Sequence, residues 1–552
     1  MDTKKWFTGA IRHHDSTWHD GGVAIATAAS DIYALASERV GARYRHDWNS
    51  LPAYEYMRER MGKRDPFGTK NDSLRDREVH QDSRSQEHHL FHAYSTFWAS
   101  PFDSAAILVT DGQGPHGDFT VATTTWKGTR KSIDLIETPF QTSGPFIPHS
   151  LGHFYTAITA LAGMTGLYEE GKTMGLAAYG KPSKFLEYLR TYIRSEQDGT
   201  FFLDPAFIYA VFGNTFGSNY YGWSPQPPEI QKIWDEILAM RSVPMRTNGT
   251  PVSQDDMDIA YAGQTLLEEV VLGLARRLKQ QTGERNLCLA GGVALNCSVN
   301  GKLLTSGLFD DVYVIPAADD SGQALGRLFY DLHLDGVSIP IQIGSPYLGP
   351  PYSMKEIESA ISSTEGVSVA YGGFSSAAQK AAKLIAEGKV IGWFQGRSEI
   401  GPRALGNRSI LADPRNSLMR DHINQNVKHR EWYRPVAPAV LEEDAHLYFH
   451  LDRPLPFMLF AVQARAEKTG EIPSAVHIDG SVRVQTVNEQ QNPRFYQLIS
   501  EFKSLTGVPV LINTSFNDHG EPIIESPTDA LLAFKRMNLD ALVLGDYLIL
   551  KK

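Results

Sequence analysis

The sequence predicts an α/β fold divided into two parts. Short apolar runs that read as buried strands alternate with helical periodicities, and two of those runs are followed within three residues by glycines. A proline-rich interruption falls near residue 345 of a 552-residue chain, 42% hydrophobic, which is longer than one hydrophobic core usually serves.

The elements follow in order. Residues 86–98 read as an aromatic-rich helix carrying His88-His89-Leu90-Phe91-His92, and a spacing of four puts His88 and His92 on one face. Residues 105–109 are all apolar, a buried strand, and Asp111-Gly112-Gln113-Gly114 reads as a tight turn after it. Phe154, Ile158 and Leu161 share one helical face, so 154–161 is a core-facing helix. Residues 287–290 form a second buried strand, ending in Ala290-Gly291-Gly292-Val293-Ala294-Leu295-Asn296. Residues 312–315 form a third, before Asp319-Asp320-Ser321-Gly322. The stretch 345–353, with three prolines and a glycine, breaks both periodicities and is the expected linker between domains 1–345 and 354–552. Beyond it, 377–387 reads as a helix, 390–394 as a strand, and 509–512 as a strand before Asn513-Thr514-Ser515-Phe516-Asn517.

Composition narrows the partners. A formal net charge of −10 gives no general basic field, so no nucleic-acid partner is expected. No window approaches the roughly eighteen uninterrupted apolar residues of a membrane span, and no signal-peptide pattern follows Met1 to Trp6. A cytoplasmic protein without a membrane partner is the expectation. Cys288 and Cys297, the two cysteines, have no CxxC spacing, and Cys288 falls on a strand as a small buried residue.

Three groups of residues carry chemistry. His88 and His92 can meet one cation, and joined by Asp111 and one of the Asp319-Asp320 pair they make a four-ligand set. Nitrogen and oxygen donors without thiolate suit iron, manganese or zinc. The glycine turns at Gly112 and at Gly291-Gly292 let backbone N–H groups approach phosphate, although each turn alone is commonplace in α/β proteins. Gly166-Leu167-Tyr168-Glu169-Glu170-Gly171-Lys172-Thr173 satisfies a phosphate-loop pattern formally, but no strand precedes it and two glutamates sit inside it. The third group is basic: Arg397, Arg403, Arg408, Arg415, Arg420, Lys428, Arg430 and Arg434 stand against Glu399, Asp413, Asp421 and Glu431. It would suit a small anion, bound by guanidinium forks, or else a lattice of surface ion pairs.

In combination these motifs resemble the NodU/CmcH family of O-carbamoyltransferases. The likeness covers nearly the whole chain: His88-His89-Leu90-Phe91-His92-Ala93, Asp111 to Gly114, Glu170-Gly171-Lys172-Thr173-Met174-Gly175-Leu176-Ala177 and Ala290 to Asn296, then Gly401-Pro402-Arg403-Ala404-Leu405-Gly406, Lys428-His429-Arg430-Glu431, Arg434-Pro435 and Asn513 to Asn517. Ser37-Glu38-Arg39 keeps part of the N-terminal pattern, whereas residues 40–49 depart from it.

The resemblance implies an actin-like ATPase domain, of the threonylcarbamoyl-transfer type, joined to a YrdC-like domain. The second domain would form carbamoyladenylate from carbamoyl phosphate and ATP, and the first would carbamoylate a hydroxyl of a small natural product such as an antibiotic. Arg403, Lys428, Arg434, Arg483, Asn513 and Ser515 would hold carbamoyl phosphate and ATP. The adenylate would lie at Gly112, Glu170, Lys172, Gly291, Gly292 and Asn296, and His14 would act as general base. His88, His92, Asp111 and Asp320 would bind the divalent metal, Asp320 fitting the family's spacing better than Asp319; iron is the first choice, zinc and manganese the alternatives. Magnesium would accompany ATP, and a homodimer is an admissible assembly. The competing readings are a tRNA threonylcarbamoylation enzyme and a non-catalytic nucleotide-binding module.

Overall fold

The computed structural model describes residues 7–11, 22–28, 31–40, 56–57, 60, 87–144, 146–164, 168–216, 227–246, 250–334, 336 and 345–552. The fold is mixed α/β, in two compact units: Gln86–Val314 forms one, and Met1–Ser85 with Ile315–Lys552 forms the other.

The second of these units opens with an antiparallel sheet of β1 (Phe7–Ile11), β2 (Gly22–Ala28) and β3 (Asp31–Ala36), in that order. On β3, Ile32, Ala34 and Leu35 are buried. A 3-10 turn, Ser37–Arg39, follows and buries Arg39.

The unit Gln86–Val314 is built on β4 (Ser104–His116), β5 (Phe119–Thr129), β6 (Ile133–Glu137), β7 (Asn286–Ala290) and β8 (Asp311–Val314), in the spatial order β8-β7-β4-β5-β6. Strands β8, β7 and β4 run parallel, and β5 and β6 continue antiparallel. Ala105 to Val109 are fully buried, which an apolar run needs when both faces of its strand are covered. Helix α1 (His88–Ala99) lies against β4 and β7, and α2 (Leu151–Leu161) against β4. Phe154, Ile158 and Leu161 are buried on α2 as the spacing predicts. Three further helices matter to the site: α3 (Glu170–Ala177), α4 (Gln254–Thr282) and α5 (Cys297–Thr305). The 29-residue α4 starts in a Ser253/Asp256 capping box and stops at Gly283, whose φ of +68° suits a residue without Cβ.

The expected tight turn at Asp111-Gly112-Gln113-Gly114 is corrected by the structure. The strand continues to His116, and the register with β5 shifts between Thr110 and Gly114, so 111–113 bulge out of the ladder; the chain reverses at Gly117, φ +58°.

In the other unit, residues 345–353 are irregular chain. Beyond them lies an eight-stranded mixed sheet of β9 (Val367–Gly372), β10 (Ile391–Phe394), β11 (Arg408–Ala412), β12 (Ala437–Leu441), β13 (Gln485–Val487), β14 (Val510–Ser515), β15 (Ala541–Leu544) and β16 (Tyr547–Lys551). Their order is β9-β16-β15-β10-β11-β14-β12-β13. Phe394, Ile410, Ile512, Phe516, Leu542 and Ile549 belong to its core.

Candidate functional site

The bulge at 111–113 turns the Asp111 carboxylate towards α1. Its Oδ2 lies 3.0 Å from Nε2 of His88 and 3.3 Å from Nε2 of His92, and the two imidazole nitrogens are 3.2 Å apart. His88, His92 and Asp111 are all buried. Nitrogens each about 2.0–2.1 Å from one tetrahedral cation would stand roughly 3.3 Å apart, so this donor set has the spacing of metal ligands. Asp111 is locked from behind, because its Oδ1 accepts the main-chain N–H of Gly292 at 3.0 Å. His89, beside the pair, shares a hydrogen bond with Thr124 Oγ1 at 2.9 Å, and burial, then the neighbouring His88, hold its imidazole well below the usual histidine range.

The glycines shape this centre. A Cβ at Gly114 would lie 2.2 Å from Cδ2 of His88. Gly291 has φ +87°, and a Cβ there would lie 2.2 Å from the Thr110 carbonyl oxygen. Ser150 caps α2 and donates to the carbonyls of Asp111, at 3.0 Å, and Gly112. Asp320 lies in the other unit, buried at the start of the 3-10 turn Asp320–Gly322, while Asp319 caps that turn by accepting the Ser321 N–H at 3.1 Å.

Of the residues expected to hold adenylate, Asn296 is buried and already engaged. Its Oδ1 accepts the Val299 N–H, capping α5, and its amide exchanges hydrogen bonds with Gln264, at 2.9 and 3.1 Å. Gln264 in turn meets Tyr155 and Glu268. The sequence reading missed these three, which sit on two separate helices, 109 residues apart between Tyr155 and Gln264, with no motif linking them. Glu170 accepts from Thr156 at 2.6 Å, and Lys172 pairs with Glu169 within the first turn of α3, so the formal phosphate-loop match is a helix start. His14 lies outside the described residues.

The basic stretch does not converge as a whole. Arg397 donates to the carbonyls of Gly349, Leu348 and Ile32; Arg408, fully buried, donates to those of Gln395, Gly396, Asn407 and Glu525; Arg415 pairs with Asp413 and Arg430 with Asn424. These forks are consumed by the fold, a role that charge counting cannot distinguish from ligand binding.

Lys428 does reach Ser515: its Nζ donates to Ser515 O at 2.7 Å and Oγ at 3.2 Å, and to Asn517 O and Oδ1. It is aimed there by a π-helix, Ile423–Val427, in which its N–H donates to Ile423 O at 2.8 Å, and by His429 at φ +46°. Asn513 Nδ2 donates to Ala404 O at 3.3 Å and Gln485 Oε1 at 2.9 Å, which ties it to chain next to Arg403 and near Arg483. Arg434 stands 3.5 Å from Glu431. Glu399, two residues ahead of the Gly401 motif, was read only as a counter-charge; its buried Oε1 accepts from the N–H groups of Leu405, Asn407 and Arg408.

Among the described residues no helix is long and apolar enough to cross a membrane. Comparison with known proteins gives two family matches, "Carbamoyltransferase N-terminus" over residues 69–328 and "Carbamoyltransferase C-terminus" over 382–551. Nodulation protein NolO of Bradyrhizobium diazoefficiens is 38% identical over 475 residues, covering 84% of this chain and 79% of the relative. An uncharacterized Synechocystis protein is 38% identical over 492 residues, 84% of this chain and 76% of its own. Nodulation protein NolNO of Sinorhizobium fredii is 39% identical over 476 residues, 84% and 63%. Among solved structures, full-length HypF in its phosphate- and nucleotide-bound form matches with 13% identity over 61% of this chain and 56% of that one, TM-score 0.31. The 2-hydroxyisocaproyl-CoA dehydratase activator from Clostridium difficile matches with 12% identity over 60% and 97%, also at TM-score 0.31; both are too remote to carry an argument. On the two family matches and these long alignments, the chain belongs to the NodU/CmcH family of carbamoyltransferases and is a carbamoyltransferase.

Proposed function

We propose that the protein is an ATP-dependent O-carbamoyltransferase with a small hydroxylated natural product, such as an antibiotic, as acceptor. Residues 354–552, of YrdC-like kind, form carbamoyladenylate from carbamoyl phosphate and ATP, with pyrophosphate and phosphate released and one water consumed. Residues 1–345, of actin-like kind, pass the carbamoyl group to the acceptor hydroxyl, whose proton goes to a base, His14 in this reading, and AMP leaves. The observation that carries the reading is the convergence of His88 and His92 on one Asp111 oxygen while the other is pinned by Gly292.

By the family resemblance, Asp320 would serve as the fourth ligand. These residues would hold a divalent metal, iron first and zinc or manganese otherwise, which would supply Lewis acidity for carbamoyl transfer. Arg403, Lys428, Arg434, Arg483, Asn513 and Ser515 serve carbamoyl phosphate and ATP, with magnesium. Gly112, Glu170, Lys172, Gly291, Gly292 and Asn296 serve the adenylate.

The test is incubation with ATP, magnesium and carbamoyl phosphate. Pyrophosphate release that requires carbamoyl phosphate is expected, followed by a carbamate mass increment on a hydroxylated acceptor. ATP left intact under each metal would refute the first step.

A further inference from the structure

The N-terminal segment shares a compact unit with the C-terminal half of the chain, and its contacts there are specific. Ala34 N–H donates to Leu348 O at 2.8 Å, the Arg397 guanidinium lies 4.1 Å over the Tyr33 ring, the hydroxyls of Tyr56 and Tyr352 share a hydrogen bond, and Arg60 pairs with Glu356. Arg39 goes deepest. It is 2% exposed, its Nη2 donates to the Gly401 carbonyl at 2.9 Å, and its Nη1 stands 3.8 Å from Oε2 of Glu525.

Gly401 opens the loop that carries Arg403, and the loop is tied at one carbonyl after another. Asn513 holds Ala404 O, Tyr347 and Gln485 hold Leu405 O, Trp393 holds Gly406 O, and Glu399 gathers three amides. Ahead of Arg403 the tie is Arg39 on Gly401 O. Gly401 cannot be replaced in this role, since φ is +80° and a Cβ would lie 2.1 Å from Pro316 O. The charges balance as well: Arg39 and Arg408 both stand within 4 Å of Glu525, and Glu399 is a second buried carboxylate whose charge acts on Arg408, so two buried cations are offset by two buried anions.

We propose that Arg39 is a positioning residue for carbamoyl phosphate activation: by fixing the Gly401 carbonyl it sets the direction in which Arg403 is presented. The N-terminal segment thereby serves the activation half of the enzyme as well as its own sheet. The proposal rests on the assignment of Arg403 above, so the wild-type enzyme must first release pyrophosphate in response to carbamoyl phosphate; absence of that release would refute the underlying reading, whereas the variant kinetics below would refute this proposal alone.

The test uses the full chain with Arg39→Lys, which keeps the balancing charge but loses the planar fork. Arg39→Gln, which keeps a donor without the charge, is the second variant. Arg39→Lys is expected to raise the KM for carbamoyl phosphate in pyrophosphate release about tenfold or more, with the KM for ATP and the unfolding midpoint near wild type. In an Arg403→Lys background the same change should add little, because Arg39 acts through Arg403, whereas a merely structural role would add in full. An unchanged KM, equal losses for both substrates, full additivity, or failure of both variants to fold would each overturn the proposal.

Discussion

The main-chain N–H of Gly292 donates to one oxygen of Asp111 at 3.0 Å and so leaves the other oxygen facing His88. A loop that the sequence offers as a phosphate cradle thus orients a carboxylate of the proposed metal set. Such second-layer hydrogen bonds fix ligand direction and raise metal affinity.

Asp111→Asn keeps an acceptor for Gly292 but removes the anionic donor. Metal retained after dialysis against a chelator should fall about a hundredfold or more, and carbamoyl transfer with it, while pyrophosphate release from ATP persists. Elemental analysis of wild type and variant checks the first part; equal metal content would contradict it.

Gly112 in the bulge and Gly114 just after it should differ sharply on substitution. Gly114→Ala would drive a methyl into His88, 2.2 Å from Cδ2, at a cost of about 1–3 kcal/mol and with loss of metal. Gly112→Ala meets nothing nearer than 3.9 Å and should leave the unfolding midpoint near wild type. A fall in nucleotide affinity for Gly112→Ala alone, read by calorimetry, would mark contact between that backbone and the adenylate.

Acid should loosen the grip of Arg60 on Glu356. The Arg60 hydrogen bond, aided by the Ser353 cap, holds the Glu356 carboxyl down to about 2 from an ordinary 4.5. A depressed carboxylate contributes stability fully above its unfolded value and loses it as pH falls through the folded one, here between about 4.5 and about 2. Glu356 is partly exposed, so the effect is modest. Protection factors at the amides near Ser353, corrected for intrinsic exchange, should fall as pH drops across that window in wild type and stay level in Glu356→Gln.

Burial pushes the Cys288 thiol up to about 12 from 9, with a Ser100 hydrogen bond offsetting part of the rise. Its contribution to stability is therefore complete below pH 9 and declines above it, as the unfolded thiol ionises first. At pH 8 an alkylating reagent should leave Cys288 unmodified in native protein and label it in denaturant, as mass spectrometry would show.

The strands at Ala105 to Val109 and Leu287 to Ala290 were legible because continuous apolar runs have few other uses, and the i, i+4 histidines announced a shared face. The continuation of β4 through Asp111 to His116 was not, since its glycines read as a turn and what extends it is pairing with β5 together with close packing on Gly291. Nor could Gln264 be found: it lies 32 residues before Asn296, in the middle of a long helix. The fate of Arg397 was equally hidden, because its partner at Ile32 is a main-chain carbonyl 365 residues away and carries no side-chain signature.

The π-helical turn at Ile423–Val427 holds one more residue than an α-turn would. Each residue advances a helix by about 100°, so deleting one there would swing Lys428 off the end of β14 even with every side chain retained. At this place chain length itself is the constraint, and a single-codon deletion should be less forgivable than many substitutions.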